Sequence, residues 1–185
     1  MRSILLGAAA IVVSGCCAAF AQAPCDQLCV LMKRAVAERA SDFAKLQSEK
    51  VGELLPSSVS PPGMGCGVEK YQGASVSHPR GEPYVQFSCS TLKGADKESK
   101  NQLKRVVAEL RRSEPKWKWF KGEGGFGNTS VTSYYGGPTR NELYAEVAFS
   151  NTAAEPGLYP ASSGTIVHLD TTPINVRGDL KPYTP

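Results

Sequence analysis

The stretch GCGVEKYQGASVSHPRGEPYVQFSCS, residues 65–90, decides the fold because it contains two strand-like runs joined by a polar connection. In the first run (65–71) and the second (83–90), apolar and polar side chains alternate with the period of two that is typical of half-buried strands. The connection between them is rich in glycine, proline and serine, which favour turns. The stretch therefore predicts two neighbouring antiparallel strands.

The alternation also predicts the register of this pair and a covalent link across it. If the pair is centred near residues 77–78, Val68 faces Phe87 and Cys66 faces Cys89. Directly opposed cysteines in an antiparallel pair lie close enough to form a disulfide. We therefore expect a Cys66–Cys89 bond that ties the two strands together.

Two helices are predicted, one before this strand pair and one after it. Residues 25–50 carry apolar side chains at spacings of three and four, and Pro24 precedes them. Residues 95–113 show the same periodicity, with Asp96 as the expected cap and Pro115 as the stop. The predicted buried stripes are Leu28, Leu31, Met32, Ala35, Val36, Phe43 and Leu46 in the first helix, and Leu103, Val106, Val107 and Leu110 in the second.

The remainder of the chain predicts further strands. Three strand-like segments separated by turn residues occupy 114–122, 129–137 and 142–150, and one more candidate strand is 164–169. The tail from Thr171 is expected to be irregular. The order α-β-β-α-β-β-β, with or without a final strand, indicates an α+β fold. In it, two helices pack on one face of an antiparallel sheet of about five to six strands.

The N-terminal residues have the features of a signal peptide. Arg2 is the one charged residue before Asp26, and the apolar run ILLGAAAIVV and then small residues follow it. Such a run is too short to span a bilayer but suits the hydrophobic region of a signal peptide. We predict cleavage after Ala21 and export to the periplasm or the medium. No later segment is apolar enough to predict a transmembrane span.

The mature chain has the size and charge of one ordinary domain. Removal of residues 1–21 leaves 185 − 21 = 164 residues, of which 22–152 are assigned to a single α+β domain. Residues 153–185 form a Pro- and Gly-rich C-terminal segment with one candidate strand. Loss of Arg2 leaves 20 basic and 17 acidic residues, a balance of 20 − 17 = +3. That excess is too small to indicate nucleic-acid binding.

A second processing route stays open, because Val13-Ser14-Gly15-Cys16 resembles the lipobox of bacterial lipoproteins. In that route Cys16 would be lipidated and would anchor the protein to a membrane. Cysteine parity favours the first route, since cleavage after Ala21 leaves four of the six cysteines, an even number suited to an oxidising compartment. The lipoprotein route would leave Cys17 unpaired.

A glycine-rich run, GEGGFG at residues 122–127, resembles the phosphate-binding loop of protein kinases. A kinase also needs a lysine on a later strand and downstream aspartates that bind magnesium. Here no lysine occurs between Lys121 and Lys181, and neither H-R-D nor D-F-G follows. A dinucleotide site would need a helix after the glycines, where the sequence predicts a strand. The run therefore predicts a wide hairpin turn and no nucleotide cofactor.

Residues 93–121 concentrate positive charge, with ten Lys or Arg against four Asp or Glu. On the second helix these cations flank the buried stripe, and two tryptophans would share one face of the strand that follows. This predicts a surface for an anionic envelope polymer, lipid headgroups or an acidic protein. The alternative is a solvated helix face above a core that buries both indoles. The candidate binding residues are Lys97, Lys100, Lys104, Arg111, Lys116, Trp117, Lys118 and Trp119.

Cys25 and Cys29 lie one helical turn apart, and this spacing leaves three interpretations open. The two thiols bond to each other, each bonds another cysteine, or together they bind a metal ion. The spacing also resembles that of periplasmic copper carriers of the thioredoxin type, but a soft-metal site needs further Met or His ligands, which no spacing here gathers. We predict structural disulfides and no metal.

Catalysis has one candidate pair. His168 and Asp170 would point to the same side of a strand and could share a hydrogen bond, but no G-x-S-x-G nucleophile motif is present. The sequence thus predicts an exported, disulfide-stabilised binding module without catalytic activity. The alternatives are a small envelope hydrolase that uses His168 and Asp170, and a lipid-anchored protein with a structural or assembly role.

Overall fold

The computed structural model describes residues 25–47, 53–56, 58–91, 96–154, 161–176 and 178–184. Within these ranges, two α-helices pack on a seven-stranded antiparallel sheet, which confirms the predicted α+β fold. In chain order the elements are α1 (Gln27–Glu38), β1 (Met64–Tyr71), β2 (Tyr84–Thr91), α2 (Asp96–Ser113), β3 (Lys118–Phe126), β4 (Thr129–Gly137), β5 (Leu143–Thr152), β6 (Ser162–Ile174) and β7 (Lys181–Pro182).

The order of strands across the sheet is β1-β2-β6-β5-β4-β3-β7. The candidate strand at 164–169 exists, but it runs from Ser162 to Ile174 and pairs with both β2 and β5. Residues 162–174 are thus part of the main sheet. The tail also adds β7 beside β3, so the expected irregular structure from Thr171 onward is wrong at both places.

The first helix ends at Glu38, well before the predicted end at residue 50. Asp26 caps its start, with the Cys29 amide donating to the Asp26 carboxylate at 3.1 Å. Two short 3₁₀ turns follow, and between them Asp42 and Phe43 adopt left-handed conformations with φ of 54° and 55°. Non-glycine residues rarely do so. Phe43 is held there because its side chain is fully buried and contacts Phe87 at 6.0 Å between ring centroids.

The main core lies between the helices and one face of the sheet. The predicted stripe of α2 is buried there, and α1 contributes most of its predicted stripe. The register of β1 and β2 pairs Val68 with Phe87 and Cys66 with Cys89, as the alternation predicted. Both cysteines are buried and joined by a disulfide across a Cα–Cα distance of 4.0 Å. This bond fastens β1, at one end of the strand order, to the rest of the sheet.

The second disulfide joins Cys25 to Cys29 at the start of α1, with 5.2 Å between the Cα atoms. Of the three interpretations of this pair, the structure shows the direct bond. The bond closes a short loop, and it fixes the entry into the helix beside the Asp26 cap.

The glycine-rich run lies mostly within β3 rather than in a wide turn. Strand β3 continues to Phe126, which pairs with Thr129, so the hairpin turn consists of Gly127 and Asn128 alone. Gly127 has φ of +58°, as expected at the first position of a tight two-residue turn. A wide turn was the wrong prediction, because cross-strand hydrogen bonds override the low strand propensity of glycine.

None of the helices in the described ranges is long and apolar enough to cross a bilayer. The predicted signal peptide and the lipobox lie outside the described residues.

Candidate functional site

The basic stripe, defined as Lys97, Lys100 and Lys104, lies along one flank of α2. All three side chains are exposed. The Lys100 ammonium lies 5.2 Å from the centre of the Phe149 ring, which links this flank to β5 by a cation–π contact. Lys97 and Lys104 form no ion pair within the described residues. Within the stripe, Lys97 and Lys104 therefore have positive charge available to an outside partner.

Other cations near the stripe are engaged within the protein. Arg105 forms an ion pair with Asp26, and Arg112 Nη1 lies 2.8 Å from Glu109 Oε1. Arg111 is half-buried, and its Nη1 atom is enclosed. Arg111 is thus a poorer candidate for an external contact than the sequence suggested.

Both candidate tryptophans are buried in the main core. Trp117 contacts Tyr144 at 6.4 Å between ring centroids, and the Arg39 guanidinium covers both rings. Trp119 is 4 % exposed, and its indole lies against the backbone of Gly136 on the neighbouring strand. Neither indole is available to a partner, which supports the alternative interpretation of these two residues as core.

The candidate binding residues therefore do not form one surface. Lys116 and Lys118 are exposed, but they come after the last residue of α2 and so are not on the helix that carries the basic stripe. Lys118 directly precedes Trp119 in β3, so its side chain points to the opposite face of the sheet. The structure leaves the basic stripe as the coherent part of the predicted surface.

A buried polar cluster forms around Asp170 on the sheet face opposite the helices. The Gln86 amide donates to Asp170 Oδ1 at 2.8 Å, and His78 Nε2 lies 3.6 Å from Oδ2. The His78 ring stacks on Tyr84 with 3.7 Å between centroids, and Tyr84 in turn stacks on Tyr71 at 4.9 Å. These stacked rings hold the imidazole beside the carboxyl group.

Burial sets the protonation of this cluster. It raises the pKa of Asp170 to about 7, although the hydrogen bond from Gln86 acts in the opposite direction. Burial also lowers the pKa of His78. The nearby Thr172 backbone opposes this shift, although its distance and angle to the imidazole are not those of a hydrogen bond. Both shifts disfavour charge, so the site favours a neutral carboxylic acid beside a neutral imidazole.

His168 has different neighbours from those the sequence suggested. It lies on the same face as Asp170, but its Nδ1 atom is 3.9 Å from Glu146 Oε2 on β5. Burial lowers the pKa of His168, and Glu146 opposes the shift. Ser88 is directly opposite His168 on β2, so a serine, a histidine and a glutamate form a row across three strands.

This row resembles a hydrolase triad in composition but not in contacts. In the described part of the chain, no hydrogen bond joins Ser88 to His168. Glu146 Oε1 instead accepts a hydrogen bond from Ser133 at 3.0 Å. A nucleophile needs a base within hydrogen-bond reach, and in the described part of the chain Ser88 makes no such contact with His168.

Sequence reasoning missed the partners of Asp170. His78, Gln86 and Asp170 come from the connection after β1, from β2 and from β6, and Gln86 and Asp170 are 84 residues apart. The only signal in the sequence was the period-two alternation along β2, which puts Gln86 on the sheet face that points away from the core. Within the described residues, no group of three or more His, Cys, Asp or Glu side chains could hold a metal ion.

No protein-family model matches this chain, and no curated protein sequence is significantly similar to it. Any functional conclusion therefore depends on the residues and their geometry.

Proposed function

We propose that this protein is exported to the periplasm and acts there as a non-catalytic binding module for an anionic component of the cell envelope. The observation that carries the proposal is the basic stripe of α2, whose three exposed lysines include two with no ion pair in the described residues. An anionic polymer or headgroup surface would supply the missing counter-charges. Because both tryptophans are buried, binding would depend on electrostatics rather than on stacking.

Export is supported by the cysteines. Two disulfides join the four cysteines from Cys25 to Cys89, and such bonds persist in oxidising compartments. Cleavage after Ala21 would leave these four and remove the rest. The alternative is a lipid anchor on Cys16, and mass spectrometry of the mature N-terminus separates the two routes, since soluble export starts the chain at Gln22.

A hydrolase based on His168 is the second candidate, and the row formed with Ser88 and Glu146 is the observation that favours it. Binding is preferred for two reasons. Ser88 makes no hydrogen bond to His168 within the described residues. Asp170, the partner expected from the sequence, is 1 % exposed and contacts His78 and Gln86 instead.

The test reverses charge on the stripe while leaving the fold intact. Lys97 and Lys104 are both replaced by glutamate, because Lys100 also packs on Phe149. Binding is measured by sedimentation with phosphatidylglycerol vesicles and by retention on a polyanion resin. At roughly 1 kcal/mol per lysine near an anionic surface, we expect affinity to fall at least about tenfold. We also expect the parent's binding to weaken as salt is added.

The matched control is Lys33→Glu with Lys70→Glu, which makes the same change in net charge at two exposed lysines elsewhere. This variant should bind like the parent protein. Equal loss in both double variants would mean that net charge alone governs binding, and equal binding by all three proteins would refute a role for the stripe.

A further inference from the structure

A cavity of about 390 Å³ lies at the end of β6, away from the basic stripe. Its walls come from the connection between β1 and β2, the turn after β4, and the chain just after β6. The Asn175 amide donates to the Ser77 carbonyl at 2.8 Å and joins two of these walls. The volume falls within the roughly 300–1,000 Å³ that is typical of small-molecule sites.

Two side chains that line this cavity have enclosed polar atoms without a hydrogen-bond partner in the described part of the chain. His78 is 6 % exposed, and neither ring nitrogen makes a hydrogen bond within the described residues. Thr172 Oγ1 is likewise enclosed without a partner. A buried polar group without a hydrogen bond costs about 1–3 kcal/mol. The three atoms are enclosed in the free protein, so they would gain hydrogen bonds if a ligand in the cavity displaced the side chains that cover them.

The imidazole is held in place for such a contact. It stacks on Tyr84 on one side of the cluster, and Asp170 Oδ2 lies 3.6 Å from Nε2. Stacking fixes the plane of the ring, so little conformational entropy of the imidazole would be lost on binding.

The rest of the lining combines positive charge with apolar surface. Arg80 and Arg140 are both exposed and form no ion pair within the described ranges, whereas Glu82 is the one carboxylate of the lining. Guanidinium groups match carboxylates in a bidentate geometry. The apolar part of the wall includes Ile174 and Leu180, which belong to a small second core.

We propose that this cavity binds a small carboxylic acid that has an apolar body and one hydrogen-bonding group. Arg80 and Arg140 would bind the carboxylate, and Ile174 and Leu180 would cover the apolar body. His78 would form a hydrogen bond with the polar group. A free organic acid and the carboxyl end of a peptide both have this chemistry. The proposal is independent of the basic stripe.

The experiment follows backbone amide signals of the mature protein by NMR during titration with N-acetyl-leucine. A tripeptide ending in leucine tests the peptide source, and N-acetyl-leucinamide is the matched probe without the charge. We expect the acids to shift the amide signals of Ser77, His78, Arg80, Thr172 and residues 174–176, and the neutral amide to bind at least about tenfold more weakly. Inorganic phosphate should not compete, because it has no apolar body.

Variants separate this site from general anion binding. Arg80→Met combined with Arg140→Met should weaken the acids at least about tenfold, and the control Arg112→Met on α2 should not. His78→Phe keeps a ring against Tyr84 but removes both nitrogens, and we expect about fivefold weaker binding. The spectra of the free variants report whether each one folds. Absence of shifts with both acids, equal binding of acid and amide, or full affinity in the double arginine variant would overturn the proposal.

Discussion

Asp170 carries a carboxyl group in surroundings that favour its protonated form. The side chain is 1 % exposed, and burial raises its pKa to about 7 from an ordinary value of 3.8. In the unfolded chain this carboxyl group loses its proton near pH 4, whereas in the folded protein it keeps the proton until about pH 7. Asp170 therefore lowers the free energy of unfolding progressively as the pH rises through this window.

We predict that Asp170→Asn gains stability relative to the parent as the pH rises from 4 to 8. Asparagine can still accept the hydrogen bond from Gln86 but has no proton to lose. With ~1.4 kcal/mol per pKa unit, the gain has an upper limit of roughly 4 kcal/mol. Urea unfolding at several pH values measures it.

The control for this experiment is Asp179→Asn, which makes the same substitution at an exposed carboxylate. His78 has the opposite effect on the pH dependence. Because its pKa is lower in the folded protein than the 6.5 of the unfolded chain, the free energy of unfolding decreases as the pH falls below 6.5. The comparison therefore uses the difference between variant and parent. A difference that does not change with pH would show that Asp170 ionises normally in the folded protein.

At the scale of elements, the β3–β4 hairpin shows how a glycine-rich segment becomes a regular strand pair. Trp119 pairs with Gly136, and a Cβ atom on Gly136 would lie 2.8 Å from Trp119 Cζ2. The glycine thus leaves room for an indole that belongs to the core. Gly124, in the same hairpin, faces open space, with no heavy atom within 4 Å of the corresponding Cβ position.

We predict that Gly136→Ala lowers the free energy of unfolding by about 1–3 kcal/mol, because the added methyl group displaces a well-packed indole. The tryptophan emission maximum should also move to longer wavelength as Trp119 becomes more exposed. Gly124→Ala should change neither quantity much. If both alanine variants behave alike, the close contact between the indole and Gly136 does not limit stability.

At the scale of the whole molecule, the sheet brings distant parts of the chain together. Strand β6 lies between β2 and β5, so the C-terminal third of the chain completes the sheet that residues 64–91 begin. The two disulfides contribute unequally to this assembly. Cys66–Cys89 spans 23 residues and joins two strands, whereas Cys25–Cys29 spans four residues within one helix start.

We predict that loss of Cys66–Cys89 costs more stability than loss of Cys25–Cys29. Loop-closure entropy gives about 3 kcal/mol for the longer loop and about 2 kcal/mol for the shorter one. Thermal unfolding of the two double alanine variants measures both losses. Reduction of the parent protein removes both bonds without deleting the sulfur atoms. Unchanged stability after complete reduction would contradict a structural role for the disulfides.

The sequence by itself determined the features that depend on local pattern. Period-two alternation and the placing of Cys66 and Cys89 were enough to predict the first strand pair, its register and its disulfide. The apolar periodicity of residues 95–113 was enough for α2, because that helix lies in the chain as a single uninterrupted amphipathic segment.

Tertiary structure alone decided the features that depend on contacts between distant residues. Burial of Phe43 against Phe87 ends α1 early, although the apolar periodicity continues past Glu38. The neighbours of β6, the burial of both tryptophans, and the meeting of His78 with Asp170 likewise have no local signature. Local periodicity shows which side of an element is buried. It does not show which element will cover that side, because this is decided by packing across the whole chain.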